Sequence, residues 1–143
     1  MKNIEFLASL PKQIFAISGS FGIKLHCPNF REYKDIDVSF LQDFTEFLIF
    51  CIGKDPEIKT EIDGQYGVDR IHAVFSDGSE LDMISCSDLW KTEVAKWGFN
   101  VFPLTVILKY KADLLNQYEV GSEKYVKHAM DLAFFIKEWK III

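Results

Sequence analysis

The alternation of acidic and apolar residues in Asp35-Ile36-Asp37-Val38 constrains this chain more than any other stretch. Side chains two apart on a strand share a face, so Asp35 and Asp37 project together while Ile36 and Val38 face a core. Like charges held roughly 7 Å or less apart on such a face repel. A divalent cation removes that penalty, and Mg²⁺ prefers one or two carboxylates together with substrate phosphates. Upstream, Ile14-Phe15-Ala16-Ile17-Ser18 reads as a buried strand entering a Gly19-Ser20 turn and then a short helix over 21–26. Backbone N–H groups at a helix start attract anions, and the Ser20 hydroxyl adds a donor. An anion cradle followed by a metal-binding pair points to handling of a nucleoside triphosphate.

A third carboxylate follows. Ile71-His72-Ala73-Val74-Phe75 and Glu80-Leu81-Asp82-Met83-Ile84 read as a hairpin turning at Asp77-Gly78. Its second strand puts Glu80, Asp82 and Ile84 on one face, so Asp82 can approach Asp35 and Asp37 from a neighbouring strand. Glu80 shares that face and is the alternative third acid. Two-metal phosphoryl and nucleotidyl transfer requires such a cluster.

Composition limits the other readings. The 143 residues, 49% apolar and 26% charged, are those of one domain large enough for a real core, and thirteen Phe imply a bulky interior. A formal net charge of -5 argues against general nucleic-acid binding, which draws its affinity from basic surface. Cys27, Cys51 and Cys86 are widely spaced and form no CxxC, which fits free thiols in a reduced, cytoplasmic setting. No run approaches the roughly 20 apolar residues that span a bilayer, and no targeting segment is evident, so no membrane role is expected. His26, His72 and His128 lack zinc-site spacing.

Along the chain, apolar residues at 40, 41, 44, 47, 48, 51 and 52 predict a helix over 40–52, ended by Gly53-Lys54-Asp55-Pro56. A strand is expected over 57–62 and a turn at Asp63-Gly64. Ser87-Asp88 predicts a cap for a helix over 89–97, with Trp90 and Trp97 on one core-facing side. A strand over 99–102 then meets Pro103 at the start of a helix over 104–118, and Ser122 caps a last helix over 122–139. The fold class expected is α/β (α+β): a small mixed sheet flanked by helices, within a single domain over 1–143. Its core would span 10–102 and its C-terminal helical pair 103–140.

Gly19-Ser20, then Asp35-Ile36-Asp37, then Leu81-Asp82-Met83 resemble the nucleotidyltransferase superfamily of DNA polymerase beta. The likeness is greatest to the small aminoglycoside and lincosamide nucleotidyltransferases and the abortive-infection nucleotidyltransferase toxins. It runs from about residue 10 to 135. Val101-Phe102-Pro103-Leu104, Leu108-Lys109-Tyr110-Lys111-Ala112 and Lys127-His128-Ala129-Met130-Asp131-Leu132 are similar to the late segments of that family. The resemblance implies that Gly19 and Ser20 hold the triphosphate and that Asp35, Asp37 and Asp82 bind Mg²⁺. Asp82 would also accept the proton of the attacking hydroxyl. Lys109 would reach the phosphates, competing for that role with Lys111. Asp131 would orient Lys109 or hold the helices together, and as a plain helix contact it would pair with Lys127. Arg31 and Lys34 are extra phosphate candidates.

The activity so implied is Mg²⁺-dependent transfer of a nucleotide from a nucleoside triphosphate, ATP first among them, to an unidentified hydroxyl acceptor. That acceptor would be a small molecule, an RNA or a protein. The alternative is a catalytically degenerate nucleotide-binding or protein-interaction module on the same fold. The apolar tail Ile141-Ile142-Ile143 leaves a homodimer open.

Overall fold

The computed structural model describes residues 1–33, 35–64, 68–87, 92–93 and 98–138. The chain divides into two compact units, Met1–Phe102 and Pro103–Ile143. The first carries α1 (Lys2–Ser9), β1 (Phe15–Ser18), α2 (Gly19–His26), β2 (Asp35–Leu41), α3 (Thr45–Gly53), β3 (Lys59–Asp63), β4 (Arg70–Val74), β5 (Glu80–Cys86), β6 (Thr92–Glu93) and β7 (Asn100–Val101). The second carries α4 (Leu104–Leu115) and α5 (Glu123–Glu138). This is the mixed α+β architecture expected.

The strands form one mixed sheet in the order β3-β4-β5-β2-β1-β7-β6. The β2–β5 and β1–β7 pairs are parallel, and the other neighbours are antiparallel. One face is a dry core, in which Ile36, Phe40, Ile71, Ala73 and Leu81 are fully buried and Val38 and Met83 nearly so. Each such large apolar side chain contributes about 1.5–3 kcal/mol relative to exposure. Alternation then turns Asp35, Asp37, Glu80, Asp82, Arg70 and His72 to the opposite face.

The expected helix over 40–52 begins later than its apolar spacing suggests. Phe40 pairs with Phe15 and Leu41 with Cys86, so both residues complete β2. A 3₁₀ turn over Gln42–Phe44 follows. At the start of α3 the Thr45 hydroxyl donates to the Gln42 carbonyl or to Asp69 Oδ2, each 2.8 Å away. The expected helix over 89–97 is also corrected: Thr92 and Glu93 are a short strand paired with Val101 and Asn100. Asp88, Trp90, Trp97, Lys34 and the tail 141–143 lie outside the described residues.

Helix α1 has no counterpart in the sequence reading, and its hold on the sheet is polar at its first turn. The Lys2 N–H donates to Asp77 Oδ2 at 2.9 Å, and the Lys2 ammonium meets Glu57 at 3.0 Å and the Ser76 hydroxyl. Asn3 is fully buried; its N–H donates to Ser79 Oγ at 3.1 Å and its Nδ2 to the Glu80 carbonyl at 2.9 Å. Asp77 Oδ1 also accepts from the Ser79 N–H and hydroxyl at 3.0 and 2.6 Å. These bonds hold the Asp77 carboxyl at a pKa of about 2, with the Lys2 N–H the largest cause. One carboxylate thus ties the β4–β5 turn, where Gly78 has φ 84, to the positive end of a helix.

In the second unit, α4 opens on Pro103, whose carbonyl accepts from Val106 and Ile107. The Ser122 hydroxyl accepts from the Tyr125 N–H at 3.3 Å, just after Gly121 turns with φ 86. No helix among the described residues is long and apolar enough to cross a membrane.

Candidate functional site

The parallel β2–β5 ladder sets Asp35 beside Glu80 and Asp37 beside Asp82. Paired residues share a face, so the four acids form two adjacent columns on the polar side of the sheet. Asp35, Glu80 and Asp82 are half-buried and Asp37 is exposed. The structure therefore brings together the three carboxylates singled out in the sequence, and it places Glu80 in the same group.

The turn after β1 closes on this row. The β1–β2 register sets Ser18 opposite Asp37, and α2 begins at the next residue, Gly19. Gly19 has φ 63, and a Cβ there would stand 2.3 Å from Asp37 Oδ2. Glycine is required both by the left-handed backbone and by this close approach. Ser18 occupies the cap position of α2 without making a side-chain cap bond. Lys24 and His26 lie in the last turn, where positive charge complements the helix dipole. Ser20 Oγ accepts from Arg31 Nη2 at 2.9 Å, so a cation expected near the phosphate end stands at the helix start. The loop carrying it is held by Lys24, whose ammonium reaches the Phe30 carbonyl and Glu32 at 3.0 and 2.9 Å, and by Tyr33 packed on Phe21 at 4.6 Å between ring centres. Burial pushes the Tyr33 phenol up.

Asp82 is engaged from the other side. Arg70 Nε and Nη2 donate to Asp82 Oδ1 and Oδ2 at 3.0 and 3.2 Å, a two-pronged pair. These bonds hold the Arg70 guanidinium above its ordinary pKa. His72, the ladder partner of Asp82, lies with Nε2 3.0 Å from Glu80 Oε1 and Nδ1 3.8 Å from Asp82 Oδ1. Nothing local in the sequence marks Arg70 as a partner of Asp82, and His72, which lacks zinc-site spacing, is half-buried with a carboxylate at its ring. The Arg70–Asp82 contact is diagonal across an antiparallel pair, so only the register exposes it.

Asp35 and Asp37 offer hard oxygen donors on one face beside a backbone that leaves no room for a Cβ, which fits Mg²⁺ held partly by phosphate oxygens. Among the described residues, no three His, Cys, Asp or Glu side chains form a ready-made metal cage. In the second unit, Lys109 is exposed on α4, whereas Lys111 is buried. Lys111 Nζ meets Asp131 Oδ2 at 3.0 Å and His128 Nδ1 at 3.3 Å. Asp131, expected to orient Lys109 or to pair with Lys127, thus takes Lys111 as a partner.

No protein-family model matches the chain, and no curated protein is significantly similar to it. Solved structures do match. A crystal structure of ANT(2")-Ia in complex with adenylyl-2"-tobramycin aligns with a TM-score of 0.69 and 15% identity, over 96% of this chain and 88% of that one. The solution structure of the antibiotic-resistance factor ANT(2")-Ia gives 0.64 and 13%, over 98% and 88%. The crystal structure of JHP933 from Helicobacter pylori gives 0.57 and 16%, over 96% of this chain and 62% of that one. At such identities the likeness is one of architecture, and on it this chain has a nucleotidyltransferase-like fold.

Proposed function

We propose that the chain is a Mg²⁺-dependent nucleotidyltransferase. It would use a nucleoside triphosphate, ATP first among them, and a hydroxyl acceptor. The observation that carries this reading is the contact between the start of α2 and β2: Gly19 sits so close to Asp37 that a Cβ would stand 2.3 Å from its carboxylate. Anion-attracting backbone and metal-binding acid therefore share one place, as a nucleotide with its cation requires. The fold shared with ANT(2")-Ia supports the same chemistry.

In this reading Gly19, Ser20 and Arg31 hold the triphosphate, while Asp35 and Asp37 hold Mg²⁺ with Asp82 in reach. The ion, when bound, neutralises phosphate charge and favours the ionised acceptor. The acceptor oxygen bonds to the α-phosphorus as the bond to the β-phosphate's bridging oxygen breaks, releasing pyrophosphate. The acceptor proton goes to a carboxylate of the row, with Asp82 the assigned base. The chain's own contribution is position and fixed charge.

A second reading, a nucleotide-binding or interaction module without turnover, has one observation behind it: both Asp82 oxygens are taken by Arg70. Calorimetric titration of ATP into the wild type and Asp37→Asn, with and without Mg²⁺, tests the site. Metal-dependent binding lost in the variant is the expected result. Folded wild type that binds none of the four nucleoside triphosphates would overturn the proposal. Binding without nucleotide transfer to small hydroxylated acceptors, RNA or protein would favour the second reading.

A further inference from the structure

Two rows of opposite character face each other across β4 and β5. The ladder pairs His72 with Asp82 and Arg70 with Ile84, and Arg70 reaches back diagonally to take both Asp82 oxygens. The pair is half-buried, with side-chain exposures of 35% and 23%. On its far side, Asp82 has Asp37 as its ladder partner on β2. Asp82 therefore lies between an arginine and the acid pair that the preceding reading assigns to a divalent ion. Arg70 has another acid near it, Asp63 Oδ2 at 3.7 Å from Nη1. It can swing towards β3 without losing all carboxylate company.

A carboxylate that accepts two parallel N–H bonds has committed the lone pairs facing the guanidinium. A divalent ion on the same oxygens would bring two more positive charges next to the arginine in a partly desolvated place, where repulsion is felt more strongly than in water. The two arrangements of Asp82 therefore compete. We propose that Arg70 is an internal competitor of the divalent cation for Asp82, so that transfer of Asp82 from Arg70 to the ion sets metal affinity. This rests on the reading that Asp35 and Asp37 hold the metal. Arg70 is a positioning residue in this account, acting through Asp82 and touching neither substrate nor ion.

The test is calorimetric titration of Mg²⁺ and Mn²⁺ into the full chain as wild type, Arg70→Gln, Arg70→Lys, Asp82→Asn, Asp37→Asn and the Arg70→Gln/Asp82→Asn double variant. Arg70→Gln is expected to bind either ion tighter by on the order of ten-fold, the scale of one two-pronged, charge-assisted contact. Arg70→Lys should fall in between, since it keeps the charge and loses the fork. In the Asp82→Asn background the Arg70 substitution should have no effect. Equal or weaker binding by folded Arg70→Gln would overturn the proposal. Should that variant not fold, the Arg70 Nε–H resonance of the wild type serves instead. It is expected to leave its hydrogen-bonded position as Mg²⁺ is added, and a fixed resonance during saturable Mg²⁺ binding would overturn the proposal. Binding that is lost in Asp37→Asn but indifferent to Arg70 sinks this proposal alone. No binding by wild type or any variant sinks the metal site as well.

Discussion

Lys111 Nζ and Asp131 Oδ2 lie 3.0 Å apart in the helical pair, with side chains only 5% and 4% exposed. Removing one partner of such a pair takes the opposite charge away from a buried one. Asp131→Ala is expected to destabilise the protein by about 3–5 kcal/mol, read by denaturant unfolding. Lys111→Met/Asp131→Leu should recover most of that loss, because an apolar pair of similar size needs no solvation. A double variant as unstable as the single one would contradict this account.

Replacement at residue 19 should affect binding more than folding. Alanine there must adopt φ near 63 and push against Asp37 Oδ2. The backbone conformation alone costs roughly 1–2 kcal/mol. Displacement of the Asp37 carboxylate would come in addition, so Gly19→Ala should melt a few degrees lower and lose Mg²⁺-dependent ATP binding. A Gly19→Ala protein that binds Mg²⁺-ATP as the wild type does would refute the juxtaposition argument.

Acid should loosen α1 through Asp77. Its carboxyl is held down from 3.8 to about 2 by N–H and hydroxyl donors. A group with a depressed folded pKa stabilises fully above its unfolded pKa and loses that contribution as pH falls through the folded value. The Asp77 contribution should therefore be intact at neutral pH and fade between about pH 4 and 2. Asp77→Asn should lack it throughout, so the two melting curves should converge as pH drops across that window. Hydrogen exchange at the Lys2 and Asn3 amides should quicken in the variant at pH 7.

Asn3 supplies the companion contact. Its side chain is fully buried and donates to the Glu80 carbonyl. Asn3→Leu would leave that carbonyl without this donor, and about 1–3 kcal/mol of stability should be lost. Thermal unfolding checks it, with Ser9→Ala as the control at an exposed site.

Much of the framework of the candidate site was legible because its signals are local. The period-two alternation at 35–38 and the turn at Asp77-Gly78 each report on neighbours in sequence, and β2 and the β4–β5 hairpin formed as those signals required. What escaped the sequence depends on distant partners. Helix α1 is eight residues long, too short to be stable alone, and is held by bonds from its first turn to Asp77, Ser79 and Glu80 and by burial of Leu7. Thr92 and Glu93 sit in a stretch that reads as helical, and pairing with β7 overrides that pattern. Phe40 and Leu41 fit a helix or a strand end equally, and Phe15 and Cys86 decide between them. Arg70 meets Asp82 only once β4 and β5 are in register, and Lys111 rather than Lys109 is buried because of the face α4 presents within its unit.

The parallel pairing of β2 with β5 has a consequence for the order in which the molecule is made. Asp37 and Asp82 are ladder partners, yet α3 and the whole β3–β4 segment must be synthesised between them. The β1–β2 pair can close early, as an adjacent antiparallel contact around α2. The acid row waits for the long crossover, whose closure entropy must be met before its contacts form. A nascent chain ending after α3 would therefore already own the glycine turn and Asp35–Asp37 but no third acid and no Arg70.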